Sequence, residues 1–208
     1  MATIDHLVVV GGALDPLVAW FAEAAGVVPT PGGSHPGIGT RNALVGLHGA
    51  TYLELLAPDP DQPTPSGPRP FGIDDLGPDE HRLVTFAVRV DDIVVAADGA
   101  RRAGIEIGAI HEMVRSRSDG TPLSWEVSES VYPEGGGAVP FLIDWRDSPH
   151  PSASVTHDCR LDRLLVRHPD PERLGLVFDA IGLALAVAAA DPGGVSASLV
   201  TPRGTVEL

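Results

Sequence analysis

A histidine and a glutamate interrupt otherwise apolar, strand-like runs near the start of the chain. His6 lies in ATIDHLVVVGG and Glu54 lies in GATYLELLAP. A neutral imidazole and a carboxylate are ligands that zinc, iron, manganese and nickel accept, and either group can also carry a proton. A carboxylate without compensation is costly in such a run. We therefore expect Glu54 to have a cation, a proton or a hydrogen-bonding partner beside it.

Between these two runs, the segment GGSHPGIGTRN places polar side chains next to a glycine-rich backbone. Glycines let the backbone approach a ligand closely, so we predict that His35 moves a proton and that Thr40, Arg41 and Asn42 bind a ligand. The alternative is a tight loop with a polar rim. The segment contains no lysine and does not connect a strand to a helix, which excludes a phosphate-binding loop.

A second group of candidate ligand-binding residues lies in RSRSDGTPLSW and PFLIDW. Side chains alternate along a strand, so Arg115 and Arg117 face the same way and, with Trp125, form a predicted clamp for a carboxylate. Trp145 follows Asp144 and either lines the pocket or plugs its rim. The alternative for the arginines is an exposed strand on which they pair with local acids such as Glu126.

The elements that must position these residues repeat three times. A strand and then a helix begin near residues 3, 83 and 161, at a spacing of about 80 residues, and short β-like runs follow each helix. The pattern predicts an α+β protein of three βαβββ repeats, the last truncated, with helices over 14–25, 92–103 and 170–181. We place the repeats at 1–60, 83–147 and 159–208, the third being accessory.

Local signals support these boundaries. Each predicted helix begins at an aspartate able to accept hydrogen bonds from the free amides of the first turn, namely Asp15, Asp91 and Asp170. The dipeptide Asp119-Gly120 predicts the turn of a hairpin.

The composition limits the partners of this protein. A net charge of -14 and a pI near 4.7 disfavour contact with phosphate backbones or anionic membranes, so we predict no nucleic-acid or membrane partner and expect a small molecule. All 14 basic residues are arginine, which excludes a Schiff-base lysine. Cys159 is the single cysteine and cannot form an internal disulfide, which is typical of a cytoplasmic protein.

The paired βαβββ pattern resembles the vicinal oxygen chelate superfamily, which includes glyoxalase I, extradiol dioxygenases and the bleomycin-binding and fosfomycin-resistance proteins. The closer resemblance is to its glyoxalase-like domain branch, through DHLVVV, GGSHPGIGTRNALVGL, YLEL, RSRSDGTPLSW and PFLIDW. The resemblance implies that residues 1–147 form one glyoxalase-like domain, in which two repeats curl into a half-open barrel with a divalent metal in its cup.

The resemblance also implies a ligand set and a reaction class. His6 and Glu54 match the positions that typically supply metal ligands, whereas Thr85 or Phe86 replaces the second histidine, and Asp144 is the remaining candidate ligand. Such a three-ligand site would serve a lyase, isomerase or dioxygenase acting on adjacent oxygens, with Glu54 or His35 moving a proton. The alternative is a metal-free protein that sequesters a small hydrophobic or aromatic compound.

The third repeat departs from this pattern. Arg163 and Glu207 stand where the first repeat has its histidine and glutamate, so we predict an Arg–Glu pair and a structural or dimer-forming role, and we expect a homodimer. The alternative to metal ligation is that His6 hydrogen-bonds within the fold and that Asp5 belongs to a surface network. We interpret the remaining histidines as surface residues, namely His48, His81, His111, His150, His157 and His168.

Overall fold

The computed structural model describes residues 1–116 and 122–208 of the chain. Its elements follow the order strand, helix and three strands, three times. The first repeat contains β1 (Thr3–Gly11), α1 (Leu14–Ala25), β2 (Thr30–His35), β3 (Thr40–Leu47) and β4 (Thr51–Pro58). The second contains β5 (His81–Arg89), α2 (Ile93–Arg102), β6 (Ile110–Ser116), β7 (Pro122–Ser128) and β8 (Phe141–Asp144). The third contains β9 (Arg160–His168), α3 (Pro171–Ile181), β10 (Val187–Ala189), β11 (Gly194–Thr201) and β12 (Gly204–Glu207).

The strands form two hydrogen-bonded sheets. The eight strands of the first two repeats have the order β2-β3-β4-β1-β5-β8-β7-β6, and the strands of the third have the order β10-β9-β11-β12. Strands β2, β3 and β4 pair antiparallel in sequence order, as do β6, β7 and β8, whereas β5 and β8 are parallel. The predicted fold class, α+β with repeated βαβββ units, is confirmed, and the three helices lie where the periodicity predicts them.

The chain forms two compact units. Unit I contains residues 1–6, 84–150 and 165–195, and unit II contains residues 7–83, 151–164 and 196–208. Each unit draws segments from all three repeats. The domain boundaries that we placed between the repeats stay a prediction.

In unit II, helix α1 packs against strands β3 and β4. Leu17, Phe21 and Ala25 recur at helical spacing and are buried, so they form one apolar stripe. Leu53 and Leu55 of β4 are fully buried as well. Full burial of each such leucine or phenylalanine contributes about 1.5–3 kcal/mol. Because this packing holds β3 and β4 in place, their other face can carry polar side chains.

In unit I, helices α2 and α3 pack on each other. A Cβ atom at Gly99 would lie 3.1 Å from the Ala180 carbonyl oxygen, so glycine suits this close approach of the two helices. Phe178 of α3 meets Phe86 of β5 edge to face, with 6.4 Å between ring centroids. These contacts join the helices to the sheet.

The helix N-termini differ in detail from the prediction. Asp170 caps α3, as expected, by accepting the Arg173 N–H, but α2 is capped by Asp92. In the described part of the chain no side chain caps helix α1, because its N-cap residue is Ala13 and Asp15 lies inside the first turn. Asp91 instead accepts a hydrogen bond from the amino terminus at 2.8 Å. An aspartate does lie near the start of each helix, but a difference of one residue decides which carboxylate reaches the free amides of the first turn.

Two further sequence predictions concern the third repeat and the hairpin turn. Arg163 donates to the Ser198 hydroxyl at 3.4 Å, and that hydroxyl lies 2.8 and 2.7 Å from the Glu207 carboxylate oxygens. Ser198 thus links the predicted pair. The turn at Asp119-Gly120 lies outside the described residues.

No helix in the described part of the chain is long and apolar enough to cross a membrane.

Candidate functional site

Four of the predicted site residues lie on one face of the β2–β3–β4 sheet in unit II. Along the paired strands, His35 lies opposite Thr40, Asn42 lies opposite Leu56, and Glu54 lies opposite Leu44. Side chains alternate along a strand, and paired residues share a face. His35, Thr40, Asn42 and Glu54 therefore project from the same side of the sheet.

Asn42 joins these side chains. Its amide nitrogen Nδ2 donates to Glu54 Oε1 at 2.6 Å and lies 3.4 Å from His35 Nε2, while its oxygen Oδ1 accepts the Gly33 N–H at 2.9 Å. A backbone N–H can only donate, so the Gly33 contact identifies which end of the amide is oxygen. The NH2 end consequently faces both the carboxylate and the imidazole.

This orientation favours one neutral tautomer of His35. Because the Asn42 NH2 group donates toward Nε2, that ring nitrogen acts as an acceptor. The proton then lies on Nδ1, which donates to Thr40 Oγ1 at 2.9 Å. In this tautomer the lone pair on Nε2 is able to accept a proton.

Glycine at position 32 permits the network. A Cβ atom there would lie 2.0 Å from Asn42 Oδ1, well inside contact distance. The backbone of β2 can therefore come close to Asn42 only because residue 32 has no side chain. The predicted close approach of the glycine-rich backbone is thus present, and in this structure its partner is Asn42.

Arg41 lies apart from the four residues of this network. It is paired with Ser34 on the opposite face of β3 and donates to Asp15 of α1 at 3.3 Å. Its Nε is buried and has no hydrogen-bond partner among the residues that the structure describes. On the same side, hydrogen bonds from Ser34 and Gln62 lower the pKa of Asp59, and the charge of Arg41 acts in the same direction. Any ligand that Arg41 binds would therefore lie on the face of β3 opposite to the Asn42 network.

Unit I contains a second polar cluster, centred on Asp5, whose side chain is fully buried. Its Oδ1 lies 2.7 Å from His6 Nδ1, and its Oδ2 lies 3.0 Å from Trp145 Nε1 and 2.9 Å from His150 Nε2. Arg89 approaches Oδ2 to 4.0 Å. The expectation that Asp5 and His150 belong to the surface is wrong, since the His150 side chain is only 14% exposed.

The electrostatics of Asp5 follow from these contacts. Burial by itself raises the pKa of a carboxyl group, but the hydrogen bonds from His150 and His6 lower the pKa of Asp5 well below its ordinary value. Asp5 is therefore an anion held inside the protein by donors.

The two tryptophans predicted to bind a ligand contact each other in this unit. Trp125 and Trp145 are 8% and 6% exposed, with ring centroids 5.3 Å apart and planes tilted by 35°. The hydrogen bond to Asp5 fixes the indole of Trp145. Arg115 lies on β6 opposite Leu123 of β7, and its side chain is not among those described.

Asp144, the third predicted metal ligand, lies at the end of β8. Its Oδ1 accepts the Arg146 N–H at 2.8 Å, and the Arg146 side chain pairs with Glu126, opposite Asp144 on β7. Glu126 thus does pair with an arginine, although not with the one considered from the sequence; Arg117 lies outside the described residues.

The metal site stays a prediction. Within residues 1–116 and 122–208, no three His, Cys, Asp or Glu side chains are grouped so that they could hold a metal ion. His6 belongs to unit I and Glu54 belongs to unit II.

An open cleft of about 580 Å³ lies elsewhere in unit I and contains none of the predicted site residues. Its walls combine apolar side chains with charged or polar ones, namely Ile105, Val131, Val139, Glu106, His168 and Arg173.

Asp5 and His150 are the residues that sequence reasoning missed. The available signal was the Asp-His dipeptide at the start of β1, where an acid precedes the imidazole predicted to be functional. His150 gave no signal, because it is 145 positions away from Asp5 along the chain.

Comparisons with known proteins agree with this fold. A family model described as a glyoxalase-like domain matches residues 4–181. A search of curated proteins found no significant match. Among solved structures, a hypothetical protein from Staphylococcus aureus superposes with a TM-score of 0.65 at 14% identity, over 100% of this chain and 84% of that chain.

Two methylmalonyl-CoA epimerases are more distantly similar. That of Mycobacterium tuberculosis has a TM-score of 0.45 at 18% identity, over 73% of this chain and 90% of its own. A variant from Streptomyces coelicolor, in complex with 2-nitronate-propionyl-CoA, has a TM-score of 0.49 at 20% identity, over 71% of this chain and 97% of its own. At 14% identity the Staphylococcus aureus structure bears on the fold alone.

Proposed function

The chain belongs to the glyoxalase-like domain family of the vicinal oxygen chelate superfamily, and from this premise we propose that it is an enzyme that moves a proton on a small, oxygen-bearing organic molecule. Isomerase and lyase reactions of this kind require such a proton transfer. The observation that supports the proposal is that one amide, Asn42, contacts both Glu54 and His35. A carboxylate and a neutral imidazole are the side chains most often used as general bases.

Each residue of the network has a role in the proposed reaction. Glu54 takes a proton from the carbon next to a carbonyl group and, as the carboxylic acid, returns it to the same or a neighbouring carbon. The electron pair of the broken C–H bond rests on the carbonyl oxygen in between, so no oxidant is consumed. Asn42 orients Glu54, and His35, held by Thr40, is the second proton carrier.

A divalent metal remains part of the proposal on the family premise, with His6, Glu54 and Asp144 as its predicted ligands. Imidazole and carboxylate donors suit zinc, iron, manganese or nickel. When bound, such an ion would polarise a pair of adjacent oxygens on the substrate.

Exchange of carbon-bound hydrogen for deuterium tests the proposal without knowledge of the substrate. We would incubate the protein in D2O with a panel of 2-oxo acids, hydroxyketones and acyl thioesters, with and without added metal, and follow their α-protons by NMR. We expect the protein to accelerate exchange in at least one compound. Glu54→Gln should slow that exchange by about 10²–10⁴-fold, the usual contribution of a general base.

Glu129→Gln is the matched control, because Glu129 is an exposed acid paired with His111. It should leave the exchange rate unchanged. Equal exchange rates in wild type and Glu54→Gln, or no exchange in any compound, would contradict the proposed activity.

A metal-free binding protein is the second candidate function, and a specific observation favours it. Asn42 donates a hydrogen bond to Glu54, and a carboxylate in this setting requires such a donor. The carboxylate is therefore compensated by the protein itself, whether or not it takes part in a reaction. In that case, a hydrophobic or aromatic compound would bind without being changed. Calorimetric binding of a panel compound that shows no exchange would support this candidate.

We further propose that the protein is a homodimer, because exposed sheet edges and faces of a truncated repeat favour a partner. The chain has a mass of 21.6 kDa, so sedimentation equilibrium distinguishes a dimer of twice that mass from a monomer. A mass of 21.6 kDa across micromolar concentrations would contradict the dimer.

A cytoplasmic location is proposed from the single cysteine, Cys159, which cannot form an internal disulfide. Fractionation of cells producing the tagged protein tests this location, and recovery outside the cytoplasmic fraction would contradict it.

A further inference from the structure

We infer that Asp5 is a positioning residue that fixes His6 in the tautomer with its proton on Nδ1 and its lone pair on Nε2. The proposed function assigns no role to Asp5, and this inference depends on that function only for the use to which the His6 lone pair is put. The tautomer itself follows from the geometry of unit I.

The first step is the charge and burial of Asp5. Its side chain has no solvent exposure, so its two oxygens must be satisfied by donors within the protein. Those nearby are His6 Nδ1 at Oδ1, and Trp145 Nε1 and His150 Nε2 at Oδ2, all within 3.0 Å. An ionised carboxylate can only accept hydrogen bonds. Each nitrogen that faces it therefore carries a hydrogen.

The second step concerns the two imidazoles. A neutral imidazole has one N–H and one lone pair, so a proton on Nδ1 of His6 leaves the lone pair on Nε2. For His150 the assignment is reversed, because Nε2 faces Asp5 and the lone pair lies on Nδ1. A lone pair on a defined ring nitrogen is what a general base or a cation ligand requires, and a carboxylate on the other nitrogen is a common means of fixing it.

The third step is the role of Trp145, which makes the inference testable. An indole N–H can only donate, so it must always face an oxygen. In Asp5→Asn the amide keeps the shape of the carboxylate but has one accepting end and one donating end. The oxygen then stays toward Trp145, and the NH2 group takes the place of Oδ1 and faces His6. His6 must accept that hydrogen bond on Nδ1, so its proton moves to Nε2.

Two-bond ¹H–¹⁵N NMR correlations of the ligand-free protein at pH 8 report which ring nitrogen is protonated. His6→Gln and His150→Gln assign the signals. In wild type we expect His6 to be protonated on Nδ1 and His150 on Nε2. In Asp5→Asn we expect the His6 Nε2 signal to move to the protonated position, while His150 keeps its tautomer.

Asp92→Asn is the matched control, because Asp92 accepts the Val95 N–H at the start of α2 and asparagine also caps helices well. It should leave both tautomers unchanged. Wild-type His6 protonated on Nε2, or on both nitrogens, would overturn the inference, as would a folded Asp5→Asn protein in which His6 keeps its proton on Nδ1.

If Asp5→Asn does not fold, the wild-type spectrum alone decides the tautomer. Trp145→Phe then provides the second variant, since it removes one donor from Oδ2 and leaves the carboxylate facing both imidazoles; the His6 tautomer should persist, and its loss would overturn the inference. These spectra require no substrate, so a negative exchange assay leaves them interpretable.

Discussion

Asn42 Nδ2 and Glu54 Oε1 lie 2.6 Å apart, so the carboxylate predicted to do chemistry is held by a side chain on the neighbouring strand. The other end of the Asn42 amide accepts the Gly33 N–H at 2.9 Å. Since both ends of the amide are engaged, Asn42 cannot turn without losing both hydrogen bonds. The position of Glu54 thus depends on the geometry of β2 as well as on its own strand.

We expect Asn42→Asp to destabilise the protein increasingly as pH rises from about 4.5 to 8. The substitution puts a second carboxylate against Glu54, and two such groups at this distance cannot both ionise without a large repulsion. Urea unfolding at the two pH values measures the effect. Asn42→Ala adds no charge, so its loss of about 1–3 kcal/mol should depend less on pH. Equal destabilisation by Asn42→Asp at both values would contradict this prediction.

We expect Gly32→Ala to lower the free energy of unfolding by about 1–3 kcal/mol, because the new methyl group would overlap Asn42 Oδ1. The same change should slow any Glu54-dependent proton exchange, since Asn42 must shift. Gly67→Ala is the matched control, because nothing lies within 4 Å of a Cβ at that position. Chemical unfolding of both variants checks the difference, and equal stabilities would contradict the close approach.

We expect the stability advantage of wild type over Asp5→Asn to shrink as pH falls below about 4, the ordinary range of an aspartate pKa. The pKa of Asp5 is lowered in the folded state, so the folded protein binds its proton less readily than the unfolded chain. The stabilisation by the ionised Asp5 carboxylate is therefore complete above that range. It is lost as pH falls and the carboxylate of the folded protein takes up a proton. Thermal unfolding of both proteins between pH 3 and pH 7 tests this. A constant difference would contradict it.

We expect a divalent metal to raise the melting temperature if the family-derived ligand set is correct. At a hundredfold excess over the dissociation constant, binding would stabilise the fold by roughly 2.7 kcal/mol. Zinc, manganese, iron and nickel would be added singly to chelator-treated protein. The shift should fade below about pH 6, where imidazoles protonate. His6→Ala should abolish the shift, and the exposed His111→Ala should retain it.

The opposite pattern would favour the binding-protein candidate. In that case none of the four metals changes the melting temperature, and Glu54→Gln stabilises the protein, because a neutral amide replaces a carboxylate that only hydrogen bonds compensate.

The local grouping of His35, Thr40, Asn42 and Glu54 was largely predictable. All four lie in a short stretch of consecutive antiparallel strands, where side-chain alternation and register place residues on one face or the other. The same rule separates Arg41 from its neighbours, although the glycine-rich segment was treated as a single ligand-binding run. Alternation along the strand Thr40–Leu47 is sufficient to show that separation, without knowledge of the register.

The amino-acid sequence by itself determined the three repeats, their helices and the α+β class, because hydrophobic periodicity and glycine or proline boundaries act over a few neighbouring residues. Only the tertiary structure decided that Asp5 is a buried anion shared by His6, His150 and Trp145. Those partners come from distant positions in the chain, and the energy that retains them depends on burial, which exists only after folding. The dipeptide Asp-His in a strand is the same in the sequence whether the aspartate faces water or three hydrogen-bond donors.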